Sequence, residues 1–276
     1  PRGFGPQIAN NGLVRRELFL ECCARVRPFA VSERSKMLAP YAGDIPWIAA
    51  AARPLPGVQR VSGSVLLRGA DYARQMSEKR DAIGTRRGAV SAVDEALGAG
   101  VLEALYPWLL ACVKSDRGYR FAQTVQCPDG VAVSLDPSDP LGTLGQLVQE
   151  DICVLERRGD QHVLTAALLT FPAGWTLAEK IGRPLERIHK PVPDYPEIAR
   201  RVQRLFDGVQ EGRPIWRANA LWYRDDALFA PMLEAAPRAA WPEGQGWLRS
   251  ERQVIARIPG TQAVVFLIRT GMAPAR

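Results

Sequence analysis

Imidazole is the scarcest reactive group in this 276-residue chain, which has two histidines, His162 and His189. His189 stands in RPLERIHKPVPDYP, residues 183–196, among four prolines. Proline fixes φ and removes an amide donor, and it drives the residue before it toward extended backbone. The composition therefore predicts a stiff, extended strut that carries His189, not a helix face. A ring nitrogen held so rigidly is well placed to be presented to a partner, which the residues alone leave open. On the residues alone, a hydrogen-bonded structural histidine is the simpler alternative. His162 follows the RGDQ turn at the start of a strand, where a solvent-facing or sheet-edge position is expected.

Other chemistries find little support. GAGVLE (98–103) lacks the third glycine of a dinucleotide loop and lies in a helical pattern, not after a strand. There is no Gly-x-Ser-x-Gly elbow, zinc-protease helix or phosphate loop. Neither histidine has a persuasive nucleophile nearby in sequence, although spatial neighbours stay open. Cys22, Cys23, Cys112, Cys127 and Cys153 form no Cys-x-x-Cys pair, and their odd number reads as reduced thiols of a cytoplasmic protein.

The net charge of +7 comes mostly from scattered arginines. It suits an anionic partner, or it reflects a GC-rich coding sequence. Without an aromatic-basic stripe, nucleic acid is not expected as a partner. No apolar run approaches the roughly 20 residues of a membrane span. The chain starts Pro1-Arg2-Gly3, so a trimmed start is expected, with any targeting signal out of view.

These residues need a scaffold. Residues 1–68, with prolines at 28, 40, 46, 54 and 56, read as an irregular N-terminal arm, and residues 69–276 as the main domain. Helical spacing appears in 70–83 and 89–115, with Pro107 splitting or kinking the second, so the N-terminal half is mostly helical. After Gly118 the pattern alternates. Hairpins are predicted at 119–135, around GDQ (159–161) and around PGT (259–261), with a helix at 196–210 and a strand at 214–223. Local strand pairs imply an antiparallel sheet with flanking helices, an α+β fold.

Several blocks then occur in order: QEDICVL, FPAGW, EKIGRPLERIHKPVP, GRPIWRAN and RSERQVIARIPGTQAVVFLIRT, with ADYARQMSEKR upstream. From about residue 70 to the end, the chain resembles the haem-dependent oxidative N-demethylase family, the haem subunit of dimethylamine monooxygenase-like enzymes. Two departures stand out. The family's tryptophan after the asparagine of RAN is Ala220 here, with Trp222 two places on, and the region before residue 60 matches poorly.

The resemblance implies a PAS-like antiparallel sheet that holds haem b, with His189 as the axial ligand of the iron. It also implies oxidative N-demethylation of a small amine: O₂ and two electrons hydroxylate a carbon on nitrogen, and the carbinolamine falls apart to amine and aldehyde. Electrons would come from NAD(P)H through a flavin and iron–sulfur reductase, within a complex of several subunits. Arg249, Arg252, Arg217 and Arg269 become candidates for the haem propionates. In a strand, alternation sends Arg249, Glu251 and Gln253 to one side and Ser250 and Arg252 to the other, so the two arginines cannot share a pocket without a bulge. Taken singly, each arginine reads more simply as solvent-exposed, and so does Lys180. Glu150, Asp151 and Glu251 are candidates for steering an ammonium or relaying protons. Trp175, Trp216 and Trp222 are candidates for an aromatic wall, although plain core is their simpler reading. A haem- or ligand-binding PAS-type module without turnover, and a structural subunit without haem, are the alternatives.

Overall fold

Alternation of apolar residues in the second half of the chain builds one large sheet. The structure, a computed structural model, describes residues 31–54, 57–189, 195–236 and 241–276. Strands β6 (Asp151–Arg158) and β7 (Gln161–Leu168) form one hairpin, and β9 (Trp247–Arg257) and β10 (Val264–Pro274) form another. β8 (Ile215–Tyr223) pairs with β9, while β10 returns to pair with β6, all antiparallel. Short β1 (Gln59–Arg60) and β2 (Ser91–Val93) complete a seven-stranded sheet of order β1-β8-β9-β10-β6-β7-β2. A second small sheet holds β3 (Arg120–Phe121), β4 (Val125–Gln126) and β5 (Ala132–Val133). The α+β class and its antiparallel sheet are as the sequence predicts.

Because side chains alternate along a strand, the sheet has two distinct faces. The first presents Ile152, Val154, Leu168, Val254, Val265 and Leu267 to α2 (Tyr72–Thr85), α4 (Val101–Lys114) and α5 (Pro140–Leu147). The second presents Cys153, Leu164, Ala167, Ile255, Val264 and Ile268 to α6 (Leu177–Lys180), α7 (Leu185–Ile188) and α8 (Tyr195–Gly208). These last three helices all lie between β7 and β8 in sequence. Arg257 of β9 fastens the end of α8 by donating to the carbonyls of Phe206, Asp207 and Val209 at 3.1–3.2 Å, where cations also complement the helix dipole.

The helix expected over 89–115 is interrupted. After α3 (Arg87–Val90), residues 91–93 pair with the edge of β7, and α4 starts only after Gly100, whose φ of 78° few residues other than glycine adopt. Pro107 sits inside α4 without ending it. Residues 31–52 carry α1 (Val31–Leu38) and two 3₁₀ turns, whose Tyr41, Trp47 and Ile48 pack on Ala218, Ala220, Trp222 and Leu248. Trp47 donates to Ser250 Oγ at 3.0 Å, and a Cβ at Gly271 would come within 2.8 Å of its ring.

A buried ion pair ties the helical layer to the sheet. Lys79 of α2 reaches Asp151 Oδ1 at 2.9 Å and the Glu150 carbonyl at 2.6 Å, and both side chains of the pair are essentially inaccessible. Asp151 also accepts from the Thr170 amide, the Thr170 hydroxyl and the Phe171 amide at 2.6–2.9 Å. Removing one partner of such a pair strands the other charge, so Asp151→Ala is expected to cost about 3–5 kcal/mol. Urea unfolding of the variant beside the parent checks this; a loss under about 1 kcal/mol, the range of surface pairs, would contradict it.

Candidate functional site

His189 is not on an extended strut. Pro184 precedes α7 in extended conformation (φ −70°, ψ 156°), a one-turn helix follows, and His189 caps it with φ −98° and ψ 7°. Its amide donates to the Leu185 carbonyl at 3.1 Å. The proline bracket launches a helical turn because Pro184 has its φ preset and lacks a donor that the first turn would leave unpaired. The prolines at 191 and 193 lie outside the described residues.

The ring itself is fixed by Nδ1, 2.8 Å from the same Leu185 carbonyl. A carbonyl oxygen can only accept, so Nδ1 carries the proton and Nε2 carries the lone pair. Burial drives the imidazole pKa down to about 4 even though the Leu185 hydrogen bond opposes it, and the charges of Lys180 and Arg217 push it lower. His189 is thus neutral at pH 7, the form that ligates metals. Leu185, at the start of the same turn, belongs to the apolar cluster on this second face of the sheet, and Ile188, Ile181 and Trp175 pack against that cluster.

A polar network lies on the same face, on β8 and farther along the strands β9 and β10 that carry the apolar rows. Registered pairing sets Arg217 opposite Gln253, Asn219 opposite Glu251, and Glu251 opposite Thr270. Glu251 Oε2 accepts from Asn219 at 3.1 Å and from Gln253 at 3.0 Å, and Arg249 stands 3.7 Å from Oε1. Arg249 donates to the carbonyls of Leu228 (3.0 Å) and Phe171 (2.6 Å) and lies over the Tyr223 ring. Among the described residues, Arg249 Nε and Thr270 Oγ1 are buried without a hydrogen-bond partner. The FPAGW segment reaches this face because its backbone pairs with residue 230, through the Gly174 amide to the Ala230 carbonyl and the Ala230 amide to the Pro172 carbonyl.

The remaining sequence candidates go elsewhere. Unbroken register along β9 puts Arg252 on the first face, where it donates to the Val65 carbonyl at 2.9 Å and lies over Trp216. Arg269 is locked to Asp71, Gln75 and the Leu67 carbonyl. Glu150 accepts from the Leu67 amide at 2.7 Å, and burial pushes its carboxyl up against the opposing charges of Arg269 and Arg252. Asp151 is saturated by its pair with Lys79. Register places Asp151, opposite Ile268, on the same face as Glu251, so Glu251 is the candidate acid on the face of Arg217 that Lys79 leaves uncommitted.

Several exposure expectations are corrected. Arg249, Arg252 and Arg269 are buried and Arg217 is half-buried, because each extended strand residue lies under a packed layer. Lys180, expected in solvent, is 4% exposed. His162 is fully buried rather than solvent-facing, although β2 stops short of it and leaves it with a strand partner on one side only, since α8 covers it: Gln203 bonds Nδ1 at 2.7 Å, and Nε2 has no hydrogen-bond partner among the described residues. Trp222 is core against Tyr41, as its simpler reading had it. Sequence reasoning missed Glu234, which belongs to no motif, whereas Asn219 and Gln253 lay unread inside RAN and RSERQ.

Two clefts of about 190 and 420 Å³ open between residues 63–68 and α4; Glu150 lines the smaller, and His189 borders neither. Among the described residues, no helix is long and apolar enough to cross a membrane. Residues 64–276 match the profile of the family described as haem-dependent oxidative N-demethylase, alpha subunit-like.

The His189 geometry has a signature in acid. Its folded pKa of about 4 lies below the ordinary 6.5, so the unfolded chain binds the extra proton first. Stability is fully present above pH 6.5 and falls as pH drops toward 4, by about 2 kcal/mol after allowing for the ring's partial exposure. Buried His162, also held low, adds a loss of the same sign. Urea midpoints of haem-free protein at pH 7, 5.5 and 4 should show a shallower acid loss for His189→Gln; equal slopes would refute the assignment.

Proposed function

The chain belongs to the haem-dependent oxidative N-demethylase, alpha subunit-like family, and from that premise we propose that it is the haem-bearing subunit of a monooxygenase that removes a methyl group from a small amine. The observation that carries the reading is the Nδ1–H bond from His189 to the Leu185 carbonyl. Ligating histidines commonly donate their other ring nitrogen to a carbonyl in this way, which fixes the tautomer and the ring plane.

The residues present suit haem b. His189 supplies a neutral imidazole, Leu185, Ile188 and Trp175 supply apolar contact, and Arg217 supplies a cation near the ring for a propionate. Arg249, on the same face, is a second cation, whereas Arg252 and Arg269 are committed on the opposite one. A sheet with three helices inserted between its hairpins and His189 on the covered face supports the PAS-like reading.

Bound haem supplies O₂ activation, so that O₂, two electrons and two protons convert an N-methyl group to formaldehyde, water and the demethylated amine. The chain's own residues hold the substrate. Glu251, oriented by Asn219 and Gln253, accepts a hydrogen bond from the amine nitrogen, and Arg249 Nε and Thr270 Oγ1 offer further hydrogen bonds beside it. Trp175 forms an apolar wall on the same side. Electrons come from NAD(P)H through a separate flavin and iron–sulfur reductase. The net charge of +7 favours an acidic redox partner.

Protein reconstituted with haem should show a Soret band that is altered in His189→Ala; an unaltered band removes axial ligation by His189. With a reductase, O₂ and dimethylamine, the holoprotein should release formaldehyde, and silence across a panel of methylamines removes the demethylase reading while leaving haem binding intact. Glu251→Gln should lower kcat/KM by about 10–100-fold, the worth of one charged hydrogen bond, without shifting the Soret band. Unchanged kcat/KM would take the substrate role from Glu251.

A further inference from the structure

A one-turn helix does not hold itself, because nucleation is unfavourable and its last carbonyls have no partner within the helix. The turn that carries His189 is held from outside. Lys180, at the end of α6, is buried and donates from Nζ to the carbonyl of Ile188 at 2.9 Å, the peptide immediately before His189. Its charge is met by Glu234, from the segment between β8 and β9. Arg187 of α7 also donates to both oxygens of Glu234 at 3.0–3.1 Å. The Glu234 amide in turn donates to Glu179 at 3.2 Å, and Thr176 donates to the Met232 carbonyl at 3.0 Å. Residues 232–234 are thereby clasped across α6 and α7. Although burial raises the Glu234 carboxyl, the hydrogen bonds from Lys180 and Arg187 hold it below its ordinary value.

Burying an ammonium costs several kcal/mol before its partners repay it, and an apolar side chain fills such space more cheaply. Stability alone therefore gives weak reason for a lysine at this place. Its position gives a stronger one. The Ile188 carbonyl belongs to the peptide plane that sets the backbone entering His189, so the Lys180 bond fixes where the imidazole starts, while the Leu185 carbonyl fixes how it is turned. Together they leave the ring one orientation.

We propose that Lys180, locked by Glu234, is a positioning residue for His189: it fixes the turn that presents the imidazole and holds a permanent positive charge beside it. This rests on the haem reading above and adds to it a residue that sets both affinity and redox balance. A fixed positive charge near the iron favours the reduced, less positive state. Removing the charge shifts the midpoint potential to more negative values.

The test compares wild type with Lys180→Met, Lys180→Arg, Glu234→Gln, His189→Ala and Glu78→Gln, the last altering an exposed ion pair remote from the clasp. Hydrogen exchange is measured on haem-free protein at the amides of residues 185–189. Hemin affinity, Soret position and midpoint potential are measured after loading. Lys180→Met should speed exchange of the His189 amide, weaken hemin binding by about 10–100-fold and lower the midpoint potential. Lys180→Arg should restore the potential, and Glu234→Gln should speed exchange and weaken hemin binding to a smaller degree but raise the potential, because it removes a negative charge from the clasp, with Glu78→Gln unaltered. Exchange at His189 equal to wild type in both Lys180→Met and Glu234→Gln overturns the proposal, and so do unchanged hemin affinity and potential. His189→Ala separates the two failures: a Soret band indifferent to that change sinks axial ligation by His189, the part of the haem reading on which the role of Lys180 rests. A His189-dependent band in wild type that Lys180→Met leaves untouched sinks only the role of Lys180. If Lys180→Met fails to fold, Glu234→Gln and Lys180→Arg decide by the same readouts.

Discussion

A single hydrogen bond, from Nδ1 of His189 to the carbonyl of Leu185, determines what the imidazole can do. It assigns the proton to one nitrogen and the lone pair to the other, and it sets the plane of the ring. The bond exists only while residues 185–188 stay helical, and four residues do so only when packed. Leu185 and Ile188 pack against the second face of the sheet, so the geometry of the imidazole is a consequence of the sheet's apolar pattern.

Alternation then decides which polar residues can join His189. One strand, β9, supplies both layers: Arg249, Glu251 and Gln253 to the covered polar network, Ser250 and Arg252 to the opposite layer. No bulge interrupts its pairing with either neighbour, so a shift by one residue would exchange the two sets. Such a shift would bury Arg252 where Glu251 stands and remove the acid from the site. The long, unbroken ladders on both sides of β9 make that register secure.

Much of this was legible in the sequence, and the failures have physical causes. The hairpins at 159–161 and 259–261 announced themselves through paired apolar stretches flanking glycine turns, and α8 through its apolar face. β2 was hidden inside a helical pattern, because a three-residue edge strand is dictated by its partner β7 and not by its own residues. The strut expected around His189 failed for a similar reason: prolines limit φ but permit a helical turn to start, and Leu185 and Ile188 gain more by packing than by extension. Lys180 and His162 were misjudged because burial of a polar side chain depends on what folds over it, which no local pattern carries. Glu234 belongs to a segment without a motif, and its role is visible only once residues 232–234 lie across α6 and α7.

The arginines complete the logic. Arg249, Arg252 and Arg269 are buried, and each donates to backbone carbonyls of irregular segments: Phe171 and Leu228, Val65, and Leu67. A buried carbonyl in a non-repeating segment has no ladder partner, and leaving it unmet costs about as much as a lost hydrogen bond. A planar guanidinium with five donors can satisfy two such groups at once. In this chain arginine therefore acts as a fastener of loops to strands, most clearly where Arg249 ties FPAGW and residue 228 to β9. That use removes part of the positive charge from the surface. Three of the cations that the sequence scatters, Arg249, Arg252 and Arg269, are in the fold turned inward to hold irregular segments against the strands.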